Sequence, residues 1–291
     1  MKKIVLASLM AVLLVIMAAC GSDDKETGTE SNKKEDTTIT FGVTPWTSTV
    51  PPTKIAKLII EDMGYTVEEV NADVGNVVIG LGRGDLDVFM DLWLPVHEVK
   101  IEKNKDNIEA LSISYDNAAL GIVVPTYMTD INSVSDLVGK EDMFNNELYG
   151  IEEGAGTTPT INELIDSYGL DMKQITSSEG GMLAQAKRFI SDEKPVVFYG
   201  WRPHTMFNKY DLKMLEDEKN HFEASTVTVF GNKELKEKAP EVHAFLSNWN
   251  ISIDDMEELI EVLENDGTDP EELAREWIDN NQDKVNKMLG K

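Results

Sequence analysis

Across 291 residues the chain carries a single cysteine, Cys20. No internal disulfide is available, and the paired cysteines of a structural zinc site are missing. The 4 histidines form no His-Glu-x-x-His pattern, which removes a zinc-peptidase helix as well. No calcium loop of Asp-Asn-Asp type occurs. A serine-hydrolase elbow, Gly-x-Ser-x-Gly, is absent too. Gly154-Ala155-Gly156 is not followed by the Gly-Lys-Ser/Thr of a phosphate loop. Nothing in this inventory calls for a catalytic residue, a metal or a cofactor. Basic residues are also scarce: 27 Lys and Arg against 53 Asp and Glu, a formal net charge of -26. Such a surface repels nucleic-acid backbones and anionic lipid faces. It serves equally as a solubility device. No short-period repeat of the solenoid kind runs through the chain.

Long apolar runs are confined to the first residues. Lys2 and Lys3 precede an apolar stretch over 4–17, then Ala18-Ala19 and Cys20. This is the order of a signal peptide over 1–19, too short for a comfortable membrane span. Met17-Ala18-Ala19-Cys20 resembles the bacterial lipobox, with Met17 where leucine is more common. That resemblance implies cleavage before Cys20 and a lipid anchor on it. Residues 20–36 supply Ser, Asp, Glu, Lys, Thr and Gly with little to bury, the composition of a flexible tether. The expectation is a protein exported, held extracytoplasmically at the cell membrane, and folded outside.

From residue 37 the periodicity becomes regular. Residues 38–43 alternate as a strand, 53–63 carry apolar residues at helical spacing, 65–70 read as a strand, 75–83 as a helix, and 85–94 as a strand. This β-α-β-α-β order predicts a parallel sheet with helices on both faces. A charged helix is expected over 98–109. An apolar strand over 118–125 marks a crossing into a second unit, which again alternates: a short strand at 149–151, helices over 160–168 and 182–190, and a strand at 195–199. Residues 226–230 form a strand that crosses back, and helices follow. The fold class is α/β, a two-lobed clamshell with a ligand cleft between lobes. Lobe I is expected to comprise 37–122 and 223–291, and lobe II 123–222.

Three of the five tryptophans share one local context. Trp46 follows a strand and Pro45, Trp93 ends a strand before Pro95, and Trp201 follows a strand before Pro203. Proline ends regular pairing, so each indole is delivered at a strand end, where ligands collect in parallel sheets. Trp249 and Trp277 read as helix packing. Any single tryptophan is more often core than ligand contact; it is the repeated context that sets these three apart. Three indole faces suit a quaternary ammonium, which has no N–H to donate. Each contact contributes about 0.5 to 2 kcal/mol. With burial of the methyls the sum approaches the roughly 8 kcal/mol of a micromolar binder. Gly154-Ala155-Gly156 before a helix start offers backbone N–H groups to an anion, or is simply a strand-to-helix turn. His97 and His204 stand as ligand contacts or as ordinary structural histidines.

These residues resemble the substrate-binding lipoproteins of bacterial ABC importers for glycine betaine and related quaternary amines. The resemblance is carried by Pro45-Trp46, by Trp93-Leu94-Pro95 with His97, by the turn at 150–156, and by the segment 200–212. It implies a periplasmic-binding-protein fold, an aromatic box of Trp46, Trp93 and Trp201, and a carboxylate received by His97 and the amides of Gly156 and Thr157. It also implies a membrane permease as partner. The chain departs from the family at several positions. Glu152-Glu153 replaces a usual Asp-Pro, Thr205 replaces a tryptophan, and Ser48 stands where choline binders carry an acid. Leu120 stands where choline binders carry a tyrosine. The alternatives are choline, carnitine or proline betaine in the same fold, a secreted enzyme acting on quaternary amines, and an anchored interaction protein with exposed tryptophans.

Overall fold

The computed structural model describes Lys34 and residues 36–291. The expected signal peptide, Cys20 and nearly all of the expected tether lie outside the described residues. Two five-stranded sheets organise the remainder. The first contains β1 (Thr38–Val43), β2 (Thr66–Asn71), β3 (Val88–Leu94), β4 (Ile108–Ala118) and, from far along the chain, β10 (Ser225–Asn232), in the order β2-β1-β3-β10-β4. The second contains β5 (Leu120–Pro125), β6 (Glu147–Gly150), β7 (Lys173–Thr176), β8 (Phe198–Trp201) and β9 (Leu212–Met214), in the order β7-β6-β8-β5-β9. Each sheet is parallel on one side and antiparallel on the other. The chain passes from the first sheet to the second across Ala119 and returns between Met214 and Ser225.

The expected β-α-β-α-β order is present in the first sheet. Between β1 and β2 lies α1 (Val50–Asp62), whose Pro51 and Pro52 occupy the first turn, where a missing N–H costs nothing. Its Ile55, Ala56 and Ile60 are fully buried. Between β2 and β3 lies α2 (Val74–Arg83), capped by Asp73 and ended by Gly84 in the left-handed region. β3 sits between β1 and β10, and it reads as a near-continuous apolar run, as a strand buried on both faces must. Asp91 is the exception.

The helix expected over 98–109 is not formed. Only α3 (Glu98–Glu102) is helical, and Ile108 already begins β4, which pairs antiparallel with β10 along its length. The β-branched and aromatic residues Ile108, Ile113 and Tyr115 gain more from that cross-strand packing than from a solvated helix. In the second sheet α4 (Thr157–Tyr168) and α5 (Glu179–Ser191) each start about a turn earlier than periodicity indicates. Ser178 caps α5 by accepting from Gly181 N. A one-turn α6 (Met206–Lys209) follows β8. The C-terminal helices are α7 (Leu235–Lys238), α8 (Pro240–Ser247), α9 (Ile253–Asp266), α10 (Pro270–Asn280) and α11 (Gln282–Met288). They return to the first sheet: α10 packs on α1, α8 on β4, and α9 on the 3-10 turn Thr47–Thr49. Trp277 is buried within α10, whereas Trp249 lies just past the end of α8 with its indole N–H on Ser114 Oγ at 2.8 Å. Among the described residues no helix is long and apolar enough to cross a membrane.

Candidate functional site: an aromatic cavity between the sheets

β3 places Trp93 near its carboxyl end, β8 places Trp201 at its last residue, and the loop after β1 places Trp46 beside the Thr47–Thr49 turn. All three indoles line one cavity. Trp46, Trp93 and His97 come from the first sheet and its connections; Gly156, Thr157, Tyr199 and Trp201 come from the second sheet and its connections. All six residues expected at a site from sequence therefore share this wall. Sequence reading did not anticipate Tyr199, which stacks on Trp201 at 5.3 Å and 26°. Tyr115 was also missed; it packs edge-on against Trp93 at 6.4 Å.

The indole N–H groups are held by acids. Trp46 Nε1 donates to Glu152 Oε1 at 2.8 Å, and Trp93 Nε1 donates to Asp91 Oδ1 at 3.0 Å. Asp91 is fully buried, and its other oxygen accepts from Ser48 Oγ at 2.7 Å and Thr49 Oγ1 at 2.9 Å. Burial pushes its carboxyl up to about 6, against those three hydrogen bonds, and the charge of Glu179 adds to the rise. An acid inside an apolar strand is costly unless it serves as a partner, and that was the signal in the sequence. Glu152 lies on the β6–α4 turn, and burial raises its carboxyl too. Its bond to Trp46 spans the seam between the sheets.

His97 is 3% exposed and stacks on Trp46 at 5.8 Å and 16°. Neither ring nitrogen has a hydrogen-bond partner among the described residues. Burial, and then the charge of Lys100, pull its pKa down to about 3, against the nearby Trp93 backbone carbonyl, which favours the charged ring without completing a hydrogen bond. The ring is neutral at pH 7 and carries one N–H that completes no hydrogen bond among the described residues. Leaving such a donor unmet costs about 1–3 kcal/mol. Beside it begins α4, whose first N–H groups have no partner within the helix. A methyl group built on Gly156 would stand 2.6 Å from the Val96 carbonyl oxygen and 2.8 Å from His97 Cδ2. Glycine is what lets the helix start close over His97.

The lowered pKa has a consequence for stability. Between about pH 3 and pH 6.5 the unfolded chain takes up a proton at this histidine that the native fold refuses. The contribution of His97 is complete above pH 6.5 and is lost as pH falls toward 3. A His97→Gln variant is expected to lose Tm less steeply than the unaltered chain between pH 6.5 and 4, measured by thermal denaturation. Asp91, whose raised pKa acts with the opposite sign, is common to both chains and cancels in the comparison.

A polar clasp closes the seam beside the cavity. Glu179, in the first turn of α5, accepts from Thr47 Oγ1 at 2.6 Å, from Thr47 N at 3.2 Å and from His204 Nε2 at 3.1 Å. His204 Nδ1 accepts from Met206 N, which leaves the ring proton on Nε2. The same ring meets Trp201 edge-on at 4.8 Å. Farther out, α9 faces the loop after β8: Glu264 holds Thr205 and Lys209, and Glu257 lies 3.6 Å from Arg202. Glu179, His204 and Glu264 bring metal-type ligand atoms within 4.8 Å of one another. All three are already engaged as donors or acceptors in this clasp.

Two α/β sheets with an aromatic cavity at their seam define a two-lobed binding protein. The chain belongs to the family described as the substrate binding domain of ABC-type glycine betaine transport systems, matching its family model over residues 37–280. It is 36% identical over 178 residues to the glycine betaine/carnitine transport binding protein GbuC of Listeria monocytogenes, spanning 58% of this chain and 59% of that protein. Its fold is similar to the crystal structure of lactococcal OpuAC, closed around glycine betaine, with a TM-score of 0.82 and 31% identity over 87% of this chain and 100% of that one. It is also similar to a choline binding protein solved with choline, with a TM-score of 0.81 and 26% identity over 87% of this chain and 91% of that one.

Proposed function

We propose that this chain is the extracytoplasmic substrate-binding protein of an ABC importer, lipid-anchored through Cys20, and that it captures glycine betaine for a membrane permease. The trimethylammonium group sits among Trp46, Trp93 and Trp201. The carboxylate takes the N–H of His97 and the amides of Gly156 and Thr157 at the start of α4. Binding involves no cofactor and no covalent chemistry. The observation that carries the reading is the pairing, in one cavity, of three indoles with a neutral buried histidine that lacks an acceptor. A quaternary ammonium alone would leave His97 unmet; a zwitterion of this length uses both ends.

The two lobes hinge at the two sheet crossings, the first at Ala119 rather than at the expected boundary after 122 and the second between Met214 and Ser225, and ligand joins them. It favours the closed form only so far as it binds that form better than the open one. Calorimetric titration with glycine betaine, choline, carnitine and proline betaine tests the assignment. Glycine betaine is expected to bind at micromolar concentration and to shift tryptophan fluorescence. Choline binding far more tightly than betaine would move the assignment to the family's other ligand class. Turnover of betaine by the purified protein would refute the binding role.

A further inference from the structure

Two of the three box indoles hand their N–H to carboxylates that form no ion pair among the described residues. Asp91 is fully buried, and its acceptors serve Trp93, Ser48 and Thr49, all neutral donors. Glu152 serves Trp46 through one oxygen, while the other is buried with no partner among the described residues. The remaining charges felt at these sites are acidic as well: Glu179 at both, and Asp73 at Glu152. Closed without a cation, the cavity keeps the Asp91 charge where water barely reaches and the Glu152 charge at a partly buried seam. Such charge is costly unless something compensates it.

Resting on the function proposed above, we propose that Asp91 and Glu152 are specificity-determining residues that make the tryptophan box select a cation over a neutral group of the same shape. The walls of the box cannot do this alone. A trimethylammonium and a tert-butyl group have nearly the same size, and the neutral one leaves water more cheaply. Preference for the cation must come from negative potential at the box. The ring faces provide part of it. A carboxylate on the indole N–H polarises the ring toward its face, and its own charge acts through a medium that screens poorly. The two acids act at different moments. Asp91 and all its partners lie in the first sheet or its connections, so this anion is in place before the cleft closes. The Glu152 bond to Trp46 crosses the seam, so the second anion arrives with closure.

Aspartate-to-asparagine and glutamate-to-glutamine changes keep one acceptor for the indole and remove the charge; in D91N the new amide N–H group also meets the Ser48 and Thr49 hydroxyls, which must turn to accept from it. The experiment uses the full mature chain, D91N and E152Q, titrated calorimetrically with glycine betaine and with 3,3-dimethylbutanoate, its carbon isostere. Each variant is expected to lose about tenfold in betaine affinity, while affinity for the isostere stays level or rises. The betaine-to-isostere ratio therefore falls by about tenfold or more. Equal losses for both ligands would make the acids mere packing partners and overturn the inference, as would an unchanged ratio. E152Q, at the partly exposed seam, decides the matter if D91N does not fold. An unaltered chain that binds neither ligand sinks the functional reading itself. One that binds betaine, with ratios unmoved in the variants, sinks only this inference.

Discussion

A Gly156→Ala variant is expected to fold as stably as the unaltered chain yet to bind glycine betaine about 5- to 100-fold more weakly. The added methyl does not meet its own lobe first. It meets the Val96 carbonyl oxygen at 2.6 Å and His97 Cδ2 at 2.8 Å, both carried by the loop after β3. The nearest of these is backbone, which yields less readily than the end of a side chain. Overpacking of this kind costs about 1–3 kcal/mol, and here the cost falls on the closed arrangement alone. The polar clasp does not make up for it. Its outer members, such as Arg202 with Glu257, are substantially exposed, and exposed pairs contribute about 0–1 kcal/mol. Most of the free energy of closure must then come from the cavity and its ligand, so a small obstruction beside His97 passes directly into affinity. Thermal denaturation without ligand should show a Tm close to that of the unaltered chain, while titration shows the loss. A Tm that falls with unchanged affinity would mean that the contact belongs to folding and not to closing.

The sequence was informative where physics is local. The parallel side of the first sheet was legible because Ile39, Phe41 and the α1 residues Ile55, Ile59 and Ile60 repeat at the periods of strand and helix; its antiparallel side, β3-β10-β4, was not expected. The three box tryptophans were legible because each sits at a strand end beside a proline. β4 was not, because its charged lead-in over 98–107 runs on into residues whose pairing partner, β10, comes more than a hundred positions later. β7 and β9, four and three residues long, carry too little alternation to read. The same distinction divides the site. Asp91 was passed over although it is an acid within an apolar strand, and its task depends on Ser48 and Thr49, more than forty residues earlier. Glu179 drew no notice in the sequence, because the helix was expected to begin only at residue 182, after it. Its role appears only once Thr47, 132 positions away, is brought to it. The turn at Glu152 was noticed as a departure from the family pattern, and the reason for a carboxylate there is Trp46 across the seam.

Trp201→Ala is expected to weaken glycine betaine binding by about 10- to 100-fold with a modest loss of Tm, and Trp249→Ala to do the reverse. Both side chains are nearly fully buried, so burial alone does not tell them apart. Their partners do. Trp249 fills the core beneath β4, edge-on to Phe245 at 6.0 Å and bonded to Ser114. Emptying that space costs about 3–5 kcal/mol of stability and touches nothing that lines the cavity. Trp201 is the box indole that the second sheet contributes, stacked on Tyr199 and facing Trp46 and Trp93 of the first. Its removal deletes one cation–π face and, with it, a contact by which the ligand holds one sheet to the other. Tyr199 remains on the cavity wall, which is why some binding should survive. Titration and thermal denaturation of the two variants side by side give the readout. Betaine affinity in Trp201→Ala within about twofold of the unaltered chain would leave no place for this indole in the box. A Trp249→Ala chain that folds but no longer binds would mean that the site depends on the core beneath the first sheet as much as on the seam.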